Sequence, residues 1–174
     1  LGVRQTKSLV MMMSLFEPPG SGPAPGFDLD AFAAHSLEVA NHSRSIARAW
    51  GLSAQDQEWL FTSGLLHDIG KLVVLQSSGN DASVPANDHG IVGAALLALW
   101  GLPGRIVAAV ADHHEPANAR RELQEIAWVL HLAEGFANRW YGGEAASPKP
   151  APWQWIECPG LKEKVEALVR EHQY

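Results

Sequence analysis

Apolar residues recur at helical spacing along most of the chain, and the alternation of apolar and polar residues that is typical of strands is absent. Segments rich in turn-forming residues interrupt this pattern at 17–26, 77–87 and 142–160. Between these breaks the spacing predicts helices over residues 3–16, 28–50, 54–67, 88–100, 103–114, 121–140 and 161–171. The sequence therefore predicts an all-α fold, a helical bundle of about six or seven helices.

Individual residues mark where these helices begin and end. The residues that suit helix starts are Asp28 or Asp30, Ser53, Asp88 and Pro103. The residues that suit helix ends are Gly51, Gly70 and Gly101. The breaks divide the chain into an N-terminal helix and loop at 1–26, a helical core at 27–140, and a loop with a last helix at 141–174.

Composition narrows the class of protein. An apolar fraction of 47% supports a real hydrophobic core, and the single cysteine, Cys158, excludes an internal disulfide and favours the reducing cytoplasm. A net charge of -6 argues against binding to duplex nucleic acid, which needs a basic surface. A small phosphorylated ligand remains compatible with this charge, because a metal supplies positive charge locally. The apolar segment 1–16 is too short and too polar to span a membrane.

Five successive predicted helices place a histidine or a carboxylate on the face that should point toward the core. These residues are His35, His42, His67, Asp68, His89, His113, His114, His131 and Glu134. A lone inward histidine is usually a hydrogen-bonded core residue, but burying this many unpartnered groups would cost about 2–7 kcal/mol each. A shared metal centre satisfies them together. Mixed imidazole and carboxylate ligands favour one or two divalent ions, Fe or Mn first, with Zn, Ni and Mg as alternatives.

Two glycines stand inside predicted helices near these residues. Gly64 precedes the His67–Asp68 pair, and Gly93 lies one turn after His89. Glycine weakens a helix relative to alanine. Close approach of helices at the site explains the two glycines, and ordinary helix packing is the alternative.

Residues 64–71 read GLLHDIGK, which resembles the signature of the HD superfamily of helical, metal-dependent phosphohydrolases. The neighbouring motifs resemble those of the HDOD family in their order: HSLEVA at 35–40, HGIVGAALL at 89–97, WGLP at 100–103, DHHEP at 112–116 and HLAE at 131–134. The opening LGVR also resembles an HDOD segment. In that family it follows an N-terminal helical half, so the resemblance implies that 1–26 is the remnant of such a half.

The resemblance also implies roles for particular residues. In HD phosphohydrolases one metal is bound at positions that match His35, His67, Asp68 and Glu134, the last a glutamate where the family has aspartate. In the related HD-GYP phosphodiesterases a second metal is held at positions that match His89, His113 and His114, with Asp68 between the two ions. The Gly-Tyr-Pro motif of those enzymes is absent, because Pro116, Ala117 and Asn118 follow the DHHE segment.

Two residues are the candidates for direct catalytic roles. Asp68 would bridge the metals, and Lys71 matches the lysine that contacts substrate phosphate in HD enzymes, although a solvated cation at a helix end is its plain alternative. His42 and His131 are assigned to the core or to orienting roles in preference to direct ligation.

The resemblance favours a bacterial regulatory module of the HDOD type that keeps the metal site, acts in signal transduction and contacts protein signalling partners. An active metal-dependent phosphohydrolase, or a phosphodiesterase of cyclic or other nucleotides, is the first alternative. A metal-free protein-interaction domain is the second. The apolar segment 9–15 and the loop with Trp153 and Trp155 are candidate surfaces for a partner or a dimer.

Overall fold

The computed structural model of the protein describes residues 28–78 and 88–138, together with residues 160, 163, 164 and 167. In these residues the secondary structure is entirely helical, which confirms the all-α prediction. The α-helices are α1 Leu29–Ala49, α2 Ala54–Leu66, α3 Ile69–Ser78, α4 His89–Leu99, α5 Gly104–Ala111 and α6 Gln124–Ala137, with a short 3-10 helix at Pro116–Asn118. The helix predicted at 3–16, the N-terminal part at 1–26 and the loop with Trp153 and Trp155 lie outside the described residues.

Most of the predicted start and stop signals are confirmed. A carboxylate oxygen of Asp28 accepts a hydrogen bond from the backbone of Ala31 at 2.9 Å, and the Ser53 hydroxyl accepts one from the backbone of Asp56 at 3.1 Å. Both contacts satisfy backbone donors that the first turn of a helix leaves without partners. Gly51 and Gly101 follow α1 and α4 with φ of 74° and 72°, a conformation that favours glycine at helix ends.

The predicted stop at Gly70 is wrong. Gly70 is the second residue of α3, a helix that the sequence pattern did not predict and that continues to Ser78. A Cβ atom at Gly70 would collide with the backbone carbonyl of His89 and would lie 2.7 Å from the backbone nitrogen of Gly93. Glycine is therefore required at this position because α3 and α4 approach closely, and not because a helix ends there.

The predicted helix over 103–114 ends earlier than expected. Helix α5 ends at Ala111, and the backbone nitrogen of Glu115 then bonds to the carbonyl of Asp112 at 3.1 Å in a turn. His113 and His114 consequently lie in this turn and not on a helix face. The next helix, α6, begins at Gln124, three residues later than predicted.

The core forms where α1 packs on α2 and α6, and where α4 and α5 pack side by side. Its fully buried side chains include Val39, Leu97, Ile106, Val110, Val129, Leu130 and Leu132. On α1, Val39, Ile46 and Trp50 are buried as the predicted stripe requires, whereas His35 and His42 are only half-buried. The stripe therefore faces the core through its apolar members, and its histidines lie toward the edge.

Close packing at Gly64 brings α1 and α2 together. A Cβ atom there would lie 2.5 Å from the Cα atom of Ala40, so only glycine allows this approach. This close approach explains why glycine stands at position 64, and it holds the end of α2 beside α1. Near the C-terminus, the described residues 163, 164 and 167 are helical, as predicted, and residue 160, in a predicted break, is helical too. Lys164 forms a 2.8 Å ion pair with Glu125 of α6. None of the helices in the described part of the chain has the length and hydropathy needed to cross a membrane.

Candidate metal centre

The ends of several helices converge on one region of the bundle. His67 directly follows α2, Asp68 lies between α2 and α3, and His89 is the first residue of α4. These three residues are buried, at no more than 5% exposure. The side chains of His35, from the middle of α1, and of His114, after α5, are 25% and 33% exposed. The region is therefore accessible from the side of His35 and His114.

One cluster of candidate ligands, called here the helix group, consists of His35, His67 and Asp68. One donor atom from each of these residues lies within 4.8 Å of the others. Nδ1 of His67 lies 2.9 Å from the carbonyl oxygen of Gly64 and donates a hydrogen bond to it. This contact leaves Nε2 of His67, which lies 3.3 Å from Oδ2 of Asp68, as the nitrogen whose lone pair is available to a metal.

A second cluster, called here the turn group, consists of His89, His113 and His114, whose donor atoms also lie within 4.8 Å of one another. The Nε2 atoms of His89 and His114 are 2.9 Å apart. Nδ1 of His113 donates to the carbonyl of Val110 at 2.7 Å, which leaves its Nε2 atom available. A main-chain carbonyl therefore orients the ring of His113, just as the carbonyl of Gly64 orients the ring of His67.

Asp68 connects the two groups. Its Oδ2 atom lies 3.3 Å from Nε2 of His67, 4.0 Å from Nε2 of His35 and 2.6 Å from Nζ of Lys71. Its Oδ1 atom lies 3.1 Å from Nε2 of His89, in the turn group. One oxygen of the carboxylate therefore faces each group.

The donor atoms fit a divalent metal. Nε2 of His67, Nε2 of His113 and Oδ1 of Asp68 are buried without a well-directed hydrogen bond, and an unmet buried polar atom costs about 1–3 kcal/mol. Donor pairs separated by 2.9 and 3.1 Å suit two ligands at about 2.1 Å from one ion. Imidazole nitrogen and carboxylate oxygen together match the preferences of divalent transition metals.

The charges of the helix group are set by Asp68. Burial would raise the pKa of this carboxyl, but contacts with His67, His89 and Lys71 hold it well below its usual range. Burial acts to lower the pKa of His67, yet the neighbouring Asp68 and Glu134 outweigh it and the pKa is raised. Burial and the nearby His67 lower the pKa of His35. Asp68 therefore stays ionised at neutral pH and favours positive charge beside it.

In the turn group the surroundings lower the pKa of two histidines and so favour their neutral forms. Burial and the neighbouring imidazoles of His114 and His67 lower the pKa of His113 well below its ordinary value. Burial, together with His89, lowers the pKa of His114 to about 4. These two histidines are therefore neutral at physiological pH, and the neutral form is the one that binds metals.

Glu134, which the family resemblance placed with His35 and His67, is buried on α6 at 4% exposure. Burial raises its pKa. Its Oε2 atom lacks a hydrogen-bond partner and lies 3.7 Å from Nδ1 of His114, so the carboxylate is next to the turn group. Its role as a metal ligand stays a prediction.

Two further histidines received no ligand role from the sequence. His42 lies on α1, where its Nε2 atom is 3.9 Å from Oε1 of Glu38. Its ring centre is 6.1 Å from that of Phe136, away from both groups. His131 is buried on α6, and its Nδ1 atom lies 2.7 Å from the carbonyl oxygen of His113. The helical spacing predicted that His131 faces inward, but not that it contacts the turn that carries His113.

These features define the class of the protein: an all-α domain whose helix ends bring together histidines and an aspartate suited to divalent metals. The HD domain family matches residues 32–149, and the chain belongs to this family. The matched region includes every candidate ligand of both groups.

The chain is also similar in sequence to curated relatives and in fold to a solved structure. The chain is 32% identical over 104 residues to Ribonuclease Y of Mycoplasma mycoides, covering 60% of this chain and 21% of that protein. It is 38% identical over 85 residues to Ribonuclease Y of Thermus thermophilus, covering 49% of this chain and 13% of that protein. The chain thus spans about a fifth or less of these relatives. A solved Shewanella amazonensis protein assigned as a phosphohydrolase shares the fold, with a TM-score of 0.63 at 22% identity over 97% of this chain and 70% of that one.

Proposed function

We propose that this domain hydrolyses phosphate esters with bound divalent metal, and that phosphodiesters are its substrates. The observation that carries this proposal is the position of Asp68, with Oδ2 beside His67 at 3.3 Å and Oδ1 beside His89 at 3.1 Å. Paired ions about 3.5–4 Å apart are a common catalyst of phosphate-ester cleavage. A carboxylate that faces two sets of imidazoles is suited to join such a pair.

The ligands proposed for the metals come from both groups. His35, His67 and Asp68 would hold one ion, and His89, His113 and His114 the other, with Asp68 shared. Glu134 is proposed as a further carboxylate ligand on the side of His114. Fe or Mn is favoured, with Zn, Ni and Mg as alternatives. Bound metals of this kind lower the pKa of water and polarise phosphate oxygens.

Lys71 is the residue proposed to contact the substrate. Its side chain is 42% exposed, but its ammonium lies 2.6 Å from Oδ2 of Asp68, so it is held at the edge of the centre. The candidate ligands His35 and His114 are also partly exposed, with 25% and 33% of their side chains accessible, so they border the accessible side of the centre as well. A phosphate entering there would meet the ammonium, which would neutralise a non-bridging oxygen as charge develops.

The choice of phosphodiesters rests on the relatives named Ribonuclease Y. The net charge of -6 disfavours a long basic track for nucleic acid. Binding would therefore depend on local charge from the metals and Lys71. Short oligonucleotides or small nucleotide diesters fit these conditions better than long duplexes.

A regulatory role of the HDOD type is the second proposal. It uses the same centre to bind metal or a nucleotide, and it transmits the bound state to protein partners without turnover. The order of the sequence motifs supports it, and a dimer or a signalling partner would then be part of its action.

The test combines metal analysis with turnover. Purified chain would be loaded with Mn²⁺ or Fe²⁺ and assayed with bis(p-nitrophenyl) phosphate and with a short RNA. The proposal predicts hydrolysis that the double substitution His67→Ala with Asp68→Ala abolishes, while His42→Ala, outside both groups, keeps it. Bound metal without turnover would favour the regulatory role. Metal below about a tenth of an equivalent at neutral pH would favour a metal-free interaction domain.

A further inference from the structure

We propose that His131 is a positioning residue: it fixes the turn that carries His113 and His114, and thereby sets the affinity of the turn group for its metal ion. The inference rests on the proposed two-metal site and extends it to a residue outside the ligand sets. Among the described residues, His131 belongs to neither cluster of donor atoms that could hold an ion.

The contact that carries the inference is a hydrogen bond between α6 and the turn. Nδ1 of His131 lies 2.7 Å from the main-chain carbonyl oxygen of His113, which is 18 positions away in the sequence. Because a carbonyl oxygen only accepts, the imidazole must carry its proton on Nδ1 and donate it. His131 is 8% exposed, so this bond is shielded from water.

The carbonyl that accepts this bond belongs to the peptide group joining His113 to His114. Since α5 ends at Ala111, helical hydrogen bonds do not continue through the turn: the backbone nitrogen of Asp112 bonds to the carbonyl of Ala108 at the helix end, and that of Glu115 bonds to the carbonyl of Asp112. The His113 carbonyl instead receives the side chain of His131. Without that donor a buried carbonyl would be left unmet, at a cost of about 1–3 kcal/mol, and the peptide group would lose a contact that opposes its rotation.

Rotation of this peptide group would disturb both histidines. Successive side chains on a regular helix point in different directions, about 100° apart. Here the rings of His113 and His114 have centres 3.9 Å apart, and both face His89, at 5.3 and 4.7 Å. This arrangement depends on the conformation of the turn, which is the feature that His131 holds.

The ring of His131 is itself held in place. Its centre lies 5.5 Å from that of Trp128, edge to face at 85°, and Trp128 is buried at 3% exposure. Both residues belong to α6, and Glu134 follows His131 after one turn of the same helix. Helix α6 thus serves as the support against which the turn group is set.

The test measures binding of Mn²⁺ to the full chain by calorimetry and by metal analysis. We expect the wild-type chain to bind two ions, a first ion in the helix group and a second ion in the turn group. His131→Ala should keep the first ion and bind the second about 10–100-fold more weakly, the range for loss of a group that orients ligands. The unchanged first ion also reports that the variant is folded. Circular dichroism provides a second measure of folding.

Two conservative variants separate positioning from simple packing. The amide nitrogen of an asparagine lies close to where Nδ1 of histidine lies, whereas that of a glutamine lies closer to Nε2. His131→Asn is therefore expected to restore most of the affinity of the turn group for its ion. His131→Gln is not expected to restore it, although glutamine is nearer to histidine in size. A residue that only fills space would give the reverse order.

His42→Ala is the matched control, since it removes a half-buried histidine outside both groups and should leave both ions bound. Unchanged affinity for both ions in His131→Ala, equal loss of both, or better rescue by glutamine than by asparagine would overturn the inference. A wild-type chain that binds fewer than two ions would instead overturn the two-metal site itself, and this inference with it.

Discussion

The helix group contains Asp68 and the turn group lies next to it, but the two groups are built from different kinds of backbone. His35 lies within α1 and His67 caps α2, so regular helices fix their directions. His113 and His114 lie beyond the end of α5, and a tertiary contact from α6 holds their turn. One half of the centre therefore follows from helix packing, whereas the other half depends on a side chain outside the centre.

The groups also differ in charge. The helix group contains an ionised carboxylate, which raises the pKa of the buried His67. In the turn group, imidazoles surround one another, and burial lowers the pKa of His114 to about 4. The turn group therefore presents neutral nitrogens at physiological pH, while the helix group supplies the negative charge that a pair of cations needs.

The largest effect is expected where the two groups meet. Asp68→Asn should release both ions and lower phosphodiester turnover about 10³-fold, the upper range for loss of an electrostatic group. Metal content and initial rates with Mn²⁺ provide the measurement. Glu38→Gln, at an exposed carboxylate of α1, is the control and should change neither. Loss of a single ion from Asp68→Asn would mean that the groups are independent.

Removal of one ligand from each group should separate the two ions. His35→Ala is expected to weaken the ion of the helix group, and His113→Ala that of the turn group, each by at least about 100-fold, beyond the range for an orienting residue. In each variant the other ion should remain bound. Calorimetric titration with Mn²⁺ distinguishes the two cases. Release of both ions by either substitution would show that the two groups do not bind their ions separately.

The close contact between α3 and α4 lies beside Asp68 and His89. An added side chain in this contact is expected to destabilise the fold. Gly70→Ala would push a Cβ atom into the backbone of His89, lowering the free energy of unfolding by about 1–3 kcal/mol. Urea denaturation measures this change. Gly104→Ala is the matched control, because a Cβ atom there meets nothing within 4 Å. Equal stability of the two variants would contradict the close packing.

The smallest effect is expected at Lys71, which borders the helix group without being a candidate ligand. Lys71→Met should lower turnover at least about tenfold, since a charge-assisted hydrogen bond contributes about 1.5 kcal/mol or more. Metal content should stay unchanged. Lys164→Met, which removes a lysine that pairs with Glu125, should leave the rate unaltered. Loss of metal from Lys71→Met would show that the lysine supports the ligands and does not act on substrate.

Much of the helix group was predictable because its residues follow a short motif and a regular period. The spacing of His35 along α1 and the adjacent His67 and Asp68 indicated one inward cluster, and the structure brings these three together. The residues of the turn group were also named from the sequence, but His113 and His114 were expected on a helix face and lie in a turn. A helical period extends smoothly through residues 103–114, so the sequence does not reveal that α5 ends at Ala111.

The sequence by itself determined the helical fold, most helix boundaries and the identities of the candidate ligands, because periodicity, capping residues and the HD motif are local features. Only the tertiary structure decided that Gly70 marks a close crossing, that Glu134 lies beside His114, and that His131 donates to the carbonyl of His113. These contacts join residues far apart in sequence. Their distances depend on how whole helices pack, which no local pattern encodes.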